Sequence, residues 1–225
     1  MTEVPVALPV ALDIALLTLG EHRLHVLLRR TEVRRWELPW TFADAAESLA
    51  VTAAKLARAA LGTRPGWLQQ VVALDAAKRH PAGPGLSVAY TGVVAAGLSR
   101  IGEDDGEERD FAWFPIDRLP ALPPRQRVAI DEAMSSIRTR FDLTPIAFKL
   151  LPERFTLTEL QEVYELLLQR TLHKASFRRA LHGARLVAPI AEYRSEGRGR
   201  PAQLFKYKPA KVVGKRTMRF DFSEL

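Results

Sequence analysis

Thr156-Leu-Thr-Glu159-Leu-Gln-Glu-Val-Tyr-Glu-Leu-Leu-Leu168 decides how the second half of this chain is built. Its first four residues form a capping box, in which a Thr hydroxyl and a Glu carboxylate reciprocally satisfy free backbone N–H groups at a helix start. Leu160, Val163, Tyr164, Leu167 and Leu168 then fall at i, i+3, i+4, i+7 and i+8, the spacing of one buried helix face. A break at residues 169–173 leads to a second predicted helix over 174–184. Its apolar side is Phe177, Ala180 and Leu181, with Lys174, Ser176, Arg178, Arg179 and His182 pointing elsewhere. Residues 186–193 and 203–207 read as short strands around the polar loop 194–201, which carries Arg198 and Arg200 beside Gly197, Gly199 and Pro201. Two helices, the second with a basic outer face, followed by a hairpin with an Arg/Gly tip, outline a winged helix-turn-helix.

Charge follows the same division. Residues 151–225 hold 15 Lys and Arg against 8 Asp and Glu, whereas residues 1–150 hold 18 of each sign. Between positions 169 and 219 the imbalance is 14 basic to 2 acidic residues. Charge alone fits a solvated basic face or a membrane-surface patch as well as a nucleic-acid binder. The helix–helix–hairpin shape favours DNA. Arg178 and Arg179 are typed for guanine or phosphate, Lys174 and Ser176 for backbone contacts, and Arg198 and Arg200 for phosphates or the minor groove.

Upstream, residues 7–19 and 24–30 read as a hairpin, 45–61 as an Ala-rich helix ending at Gly62, and 67–74, 86–96 and 111–116 as further strands. Pro123-Pro124 opens a helix to about residue 141. Strands interleaved with helices imply α/β layering to about residue 142. The acidic run at 103–108 reads as a solvated loop. The expected organisation is a first domain over 1–142, a junction over 143–153, a winged helix over 154–210 and an unassigned tail over 211–225.

The chain has 225 residues, 47% of them hydrophobic, which is comfortable for two globular domains, and no cysteine. Thiol chemistry and disulfides are excluded, in keeping with a reducing cytosol. Pro5, Pro9 and Asp13 interrupt the apolar residues 1–19, and no basic segment precedes them, so the start does not read as a secretory signal. A cytoplasmic, nucleoid-associated protein without a membrane partner is expected.

The segments 155–165, 174–179 and 199–205, with Thr144-Pro-Ile-Ala-Phe148 and Leu150-Leu-Pro152 at the junction, resemble the Nudix-related transcriptional regulators of NAD metabolism. The resemblance covers nearly the whole chain up to about residue 211. It implies an α+β protein: a Nudix-type α/β/α sandwich with a mixed sheet, followed by a winged helix that opens its recognition helix at Lys174–Arg179. A working Nudix box reads Gly-x5-Glu-x7-Arg-Glu-U-x-Glu-Glu-x-Gly, with U aliphatic. Anchored on Gly62, its positions here are Thr41, Glu47, Lys55, Leu56, Ala57, Ala59 and Ala60. The three carboxylates that hold divalent cations in active relatives are thus Leu56, Ala59 and Ala60, and magnesium-dependent hydrolysis is not expected.

The resemblance further implies that the former substrate pocket receives an effector, ADP-ribose or another NAD- or sugar-related metabolite, and needs no cofactor. By position, the candidate effector residues are Arg30, Trp36, Lys55, Arg58, Arg79 and Tyr90. Where the family has Arg-Asp-Pro-Arg, this chain has Arg79-His80-Pro81-Ala82, and Trp40 and Thr41 replace two box glycines. The effector's identity therefore stays open. The leading expectation is a homodimeric, sequence-specific regulator, a repressor by preference, on a double-stranded, near-palindromic operator. The alternatives are a Nudix-type nucleoside-diphosphate hydrolase with nonstandard metal ligands and a non-catalytic RNA-binding or scaffold protein.

Overall fold

The computed structural model describes residues 8–75, 80–83, 85–97, 110–140, 145–195 and 201–208. The chain divides into two compact units, Met1–Ser136 and Ile137–Leu225.

In the first unit the hairpin is formed by β1 (Val10–Gly20) and β2 (Arg23–Arg30), antiparallel with Leu17 opposite Val26. Glu21 and His22 both take positive φ, 49° and 58°, the backbone of a two-residue turn whose twist matches its strands. Ala11 to Thr18 are all buried, so β1 lies at the centre of the sheet with both faces covered. β3 (Trp36–Glu37), β4 (Trp40–Phe42), β5 (Trp67–Leu74), β6 (Leu86–Val93) and β7 (Phe111–Pro115) complete a seven-stranded sheet. The order β3-β2-β1-β6-β5 carries β4 against β1 and β7 against β2; β1 and β6 are parallel and the remaining pairs antiparallel, so the sheet is mixed.

Alternation along β1 sorts its side chains to two faces. Leu12, Ile14 and Leu16 join Leu27, Val88 and Tyr90 in a cluster closed by Ala53 and Ala57 of α1 (Leu49–Leu61). Alanine on the inner side of α1 lets the helix approach the sheet closely. The helix begins four residues later than its lack of Gly and Pro suggests, because Ser48 caps it by accepting from Val51 N–H, and Asp44 holds the preceding turn through Ala46 N–H. It ends at Gly62, φ 70°, whose N–H bonds Arg58 carbonyl.

Asp13 lies on the other face of β1, where α2 (Pro124–Arg140) supplies Gln126. The neighbouring Arg125, only 1% exposed, donates to the carbonyls of Asp75 (2.5 Å) and Gly85 (3.1 Å), pinning both ends of the β5–β6 connection.

The second unit holds α3 (Ile146–Leu150), α4 (Leu157–Leu168), α5 (Lys174–Ala184) and the antiparallel pair β8 (Val187–Arg194) and β9 (Ala202–Tyr207). Phe155 adds a short third strand by exchanging two backbone hydrogen bonds with Phe205. Its core stacks Phe148 on Tyr207 with centroids 4.5 Å apart and sets Tyr164 edge-on to Phe177 at 5.3 Å. Burial raises the Tyr207 pKa.

Candidate nucleic-acid interface and degenerate Nudix site

The α4 capping box is formed in full: Glu159 N–H donates to Thr156 Oγ1 at 3.1 Å, and Thr156 N–H donates to Glu159 Oε2 at 2.6 Å. At the far end Gln169 takes the left-handed conformation, φ 55°, and its N–H bonds Glu165 carbonyl. Glycine or asparagine would mark such a stop in a sequence, whereas glutamine does not. Glu165 Oε1 then accepts from Leu172 N–H at 2.8 Å and from Gln161 Nε2 at 2.9 Å, while Gln161 Nε2 also reaches Leu172 carbonyl. With Leu172 buried, these bonds fix the turn that aims α5. Sequence reasoning missed Gln161 and Glu165, because an i,i+4 polar pair usually only decorates a helix surface.

α5 is divided as its pattern predicts. Phe177 and Leu181 are buried. Lys174, Arg178, Arg179 and His182 are exposed, and Lys174, Arg178 and His182 recur every four residues along one face. Ser176 is half-buried and lies 3.3 Å from His173 Nδ1. Among the described residues, Lys174, Arg178 and Arg179 have no ion-pair partner, so their charge is directed outward. Arg198 and Arg200 of the hairpin tip lie outside the described residues, as does the tail over 211–225.

The box positions in the first unit are equally plain. Leu56 and Ala60 lean on the core cluster and Ala59 is exposed. Glu47, just before α1, accepts from Thr52 Oγ1 at 2.9 Å and is ion-paired with Lys55. The Lys55 hydrogen bond is the main reason the Glu47 pKa is lowered, and the same bond raises that of Lys55. The box glutamate is thus neutralised by the residue at the box arginine position. These residues do not fit a divalent cation: Leu56, Ala59 and Ala60 offer no oxygen ligand. Among the described residues no three His, Cys, Asp or Glu side chains converge to hold a metal.

The described candidate effector residues stand on β2, β3, α1 and β6. Arg30 pairs with Trp36 across β2 and β3, its guanidinium 5.9 Å from the indole centroid, and Trp36 meets Phe114 edge-on at 4.8 Å. Lys55 and Arg58 are exposed on α1. Tyr90 is 4% exposed in the core, its hydroxyl 3.3 Å from Gln70 Oε1 and its pKa raised by burial. Arg79 and the acidic run 103–108 lie outside the described residues. Trp40, at a family glycine position, is half-buried under Arg29 (5.3 Å), donates to Glu37 Oε1 at 3.0 Å, and meets His80 edge-on at 5.1 Å.

A sandwich around a mixed sheet, followed by a capped helix, a turn, a basic helix and a hairpin, is the architecture of a two-part regulator. Residues 147–207 match the family described as the NrtR DNA-binding winged helix domain. A protein of Acinetobacter baylyi named "ADPR responsive transcriptional repressor NtrR" is 27% identical over 205 residues, covering 87% of this chain and 80% of its own. Shewanella oneidensis NrtR, solved in complex with a 27mer DNA, superposes with a TM-score of 0.74 at 27% identity, covering 88% of this chain and 93% of that one. A MutT/nudix family protein from Enterococcus faecalis shares the fold at a TM-score of 0.68 and 19% identity, covering 89% and 88% of the two chains. The C-terminal unit is thus a winged helix of the NrtR kind, and the chain over most of its length is similar to Nudix-related transcriptional regulators.

Proposed function

We propose that the chain is a homodimeric, sequence-specific DNA-binding repressor, with α5 entering the major groove and the β8–β9 hairpin beside it. The outward row Lys174, Arg178 and His182, with Arg179 next to it, carries this reading, since it stands on a helix whose inner face is closed by Phe177 and Leu181. Ser176, Arg198 and Arg200 complete the proposed interface. The domain limits proposed are 1–142, a junction over 143–153, 154–210 and a tail over 211–225. Among the described residues no helix is long and apolar enough to cross a membrane, and the proposed place of action is the nucleoid. The test is a gel-shift assay with the DNA upstream of the chain's own gene. A shift that prefers this DNA over random duplex and weakens steeply with salt is expected; no preference at moderate salt would sink the reading.

The Nudix-type unit senses rather than hydrolyses in this proposal. Supporting it are the apolar residues at three ligand positions and a box glutamate committed to Lys55 and Thr52. ADP-ribose or a related nucleotide is the proposed effector, because the Acinetobacter relative is named for its response to it. Arg30 with Trp36, Lys55 and Arg58, with Arg79 and a supporting Tyr90, are the residues proposed to serve it. Binding of that kind releases DNA only if it prefers one arrangement of the protein. Calorimetry with ADP-ribose and a phosphate-release assay with magnesium or manganese separate the two roles. Binding without turnover is the expected outcome.

A further inference from the structure

The start of α4 and the end of β8 are joined by contacts that the charge pattern does not announce. Arg194 Nη1 donates to Glu159 Oε1 at 2.6 Å, and its Nη2 donates to Arg154 carbonyl at 3.1 Å. Two residues earlier in the strand, Glu192 accepts from Arg154 Nη1 at 2.5 Å. The Glu159 carboxylate is shared: Oε2 accepts from Thr156 N–H in the capping box while Oε1 holds Arg194. The two side chains are 29% and 35% exposed, which partly shields the pair from solvent.

We propose that Glu159 and Arg194 are positioning residues for DNA binding, which set the wing strand against α4, and that Arg194 is not itself a phosphate contact. The proposal rests on the DNA-binding reading above. α4 also seats α5, through Tyr164 against Phe177 and through Gln161 and Glu165 at the turn. Recognition helix and wing strand are thereby referred to the same helix, so two contact surfaces reach a duplex with their spacing already set. Without the tether, that spacing is chosen only on binding, at an entropic cost.

The test uses the full chain as wild type, Glu159→Gln, Arg194→Gln and the double variant. Glutamine keeps the capping box competent, so α4 starts normally in Glu159→Gln. Affinity is measured by fluorescence anisotropy across a salt series, on the duplex upstream of the chain's own gene and on a random-sequence duplex. Each single variant is expected to bind about fivefold more weakly, as for loss of one partly exposed pair. The double variant is expected to fall no further, because the two residues act as a unit. The slope of log affinity on log salt stays as in wild type. Unchanged affinity in both single variants would overturn the proposal. So would an Arg194→Gln variant that loses about one phosphate's worth of salt slope while Glu159→Gln binds normally.

Amide hydrogen exchange in β8, read on the same proteins without DNA, tests the tether by itself. Faster exchange at Tyr193 and Arg194 in Glu159→Gln supports it, and unchanged exchange removes it. Failure of wild type to bind either duplex overturns the DNA-binding reading and, with it, the role assigned to this pair; exchange then reports only on the tether.

Discussion

His80 Nε2 lies 3.0 Å from Asp13 Oδ1, with both side chains fully buried. Gln126 Nε2 donates to the same oxygen at 2.8 Å, while Gln126 Oε1 accepts from Leu38 N–H at 2.8 Å. Ala82 N–H lies 3.1 Å from His80 Nδ1, which assigns the lone pair to Nδ1 and the proton to Nε2, the nitrogen facing Asp13. One carboxylate thus joins β1, the β3–β4 turn, the β5–β6 connection and α2. His80 and Ala82 are the two residues at which this chain departs from the Arg-Asp-Pro-Arg stretch of the regulators it resembles, and the place of His80 is structural.

His80→Ala therefore removes a donor from a buried carboxylate and the edge contact with Trp40. A loss of about 2–3 kcal/mol is expected, because the carboxylate is left under-satisfied away from water. Urea unfolding of the two proteins measures it. A change below about 0.5 kcal/mol would show that the network does not hold the sheet together.

Arg178→Ala and Arg179→Ala are expected to weaken DNA binding by about tenfold each, the loss typical of one contact to a base or phosphate. Both side chains are exposed, so the melting temperature should stay within about a degree of wild type. Anisotropy titration beside a thermal melt separates the two effects. A stable variant of either kind that binds like wild type removes that arginine from the interface.

Phe177→Ala is expected to act through stability instead, destabilising the second unit by about 3–5 kcal/mol through the cavity left beside Tyr164. DNA binding is lost with it, because α5 no longer has its seat. Circular dichroism and gel shift on one preparation test this, and a folded, fully binding variant would contradict it.

The Glu47–Lys55 pair has a defined dependence on pH. The folded-state pKa of Glu47 is lowered, so its contribution is present above the unfolded value and is lost as pH falls through the folded one. That of Lys55 is raised, so its contribution is present below the unfolded value and is lost as pH rises through the folded one. The difference in melting temperature between wild type and Lys55→Met should be constant from neutral to mildly alkaline pH. It should shrink toward zero on the acid side of the glutamate range. A difference independent of pH down to strong acid would rule out an ionic contribution.

Much of the second unit was legible from local chemistry. The α4 capping box, the spacing from Leu160 to Leu168 and the two faces of α5 are set within a few residues of one another, and the structure keeps them. The replacement of three box carboxylates by Leu56, Ala59 and Ala60 is visible the same way, because Gly62 fixes the register. The start of α1 was not, since Ser48 and Asp44 compete with helix-forming alanines for the same backbone N–H groups.

What the sequence by itself determined, then, is the longer helices and strands, the basic outer face of α5 and the absence of metal ligands at the box, all matters of neighbours along the chain; the short β3 and β4 were not among them. Tertiary structure alone decided the partners of His80, Gln126, Arg125 and Arg194. His80 meets Asp13 across 67 positions, and Gln126 meets it across 113. Arg194 reads in sequence as one more basic residue beside the wing, but across 35 positions it meets Glu159 and is turned inward. Such pairs have no periodicity to betray them. A buried or half-buried charge is settled by whichever opposite group the fold brings within hydrogen-bond reach.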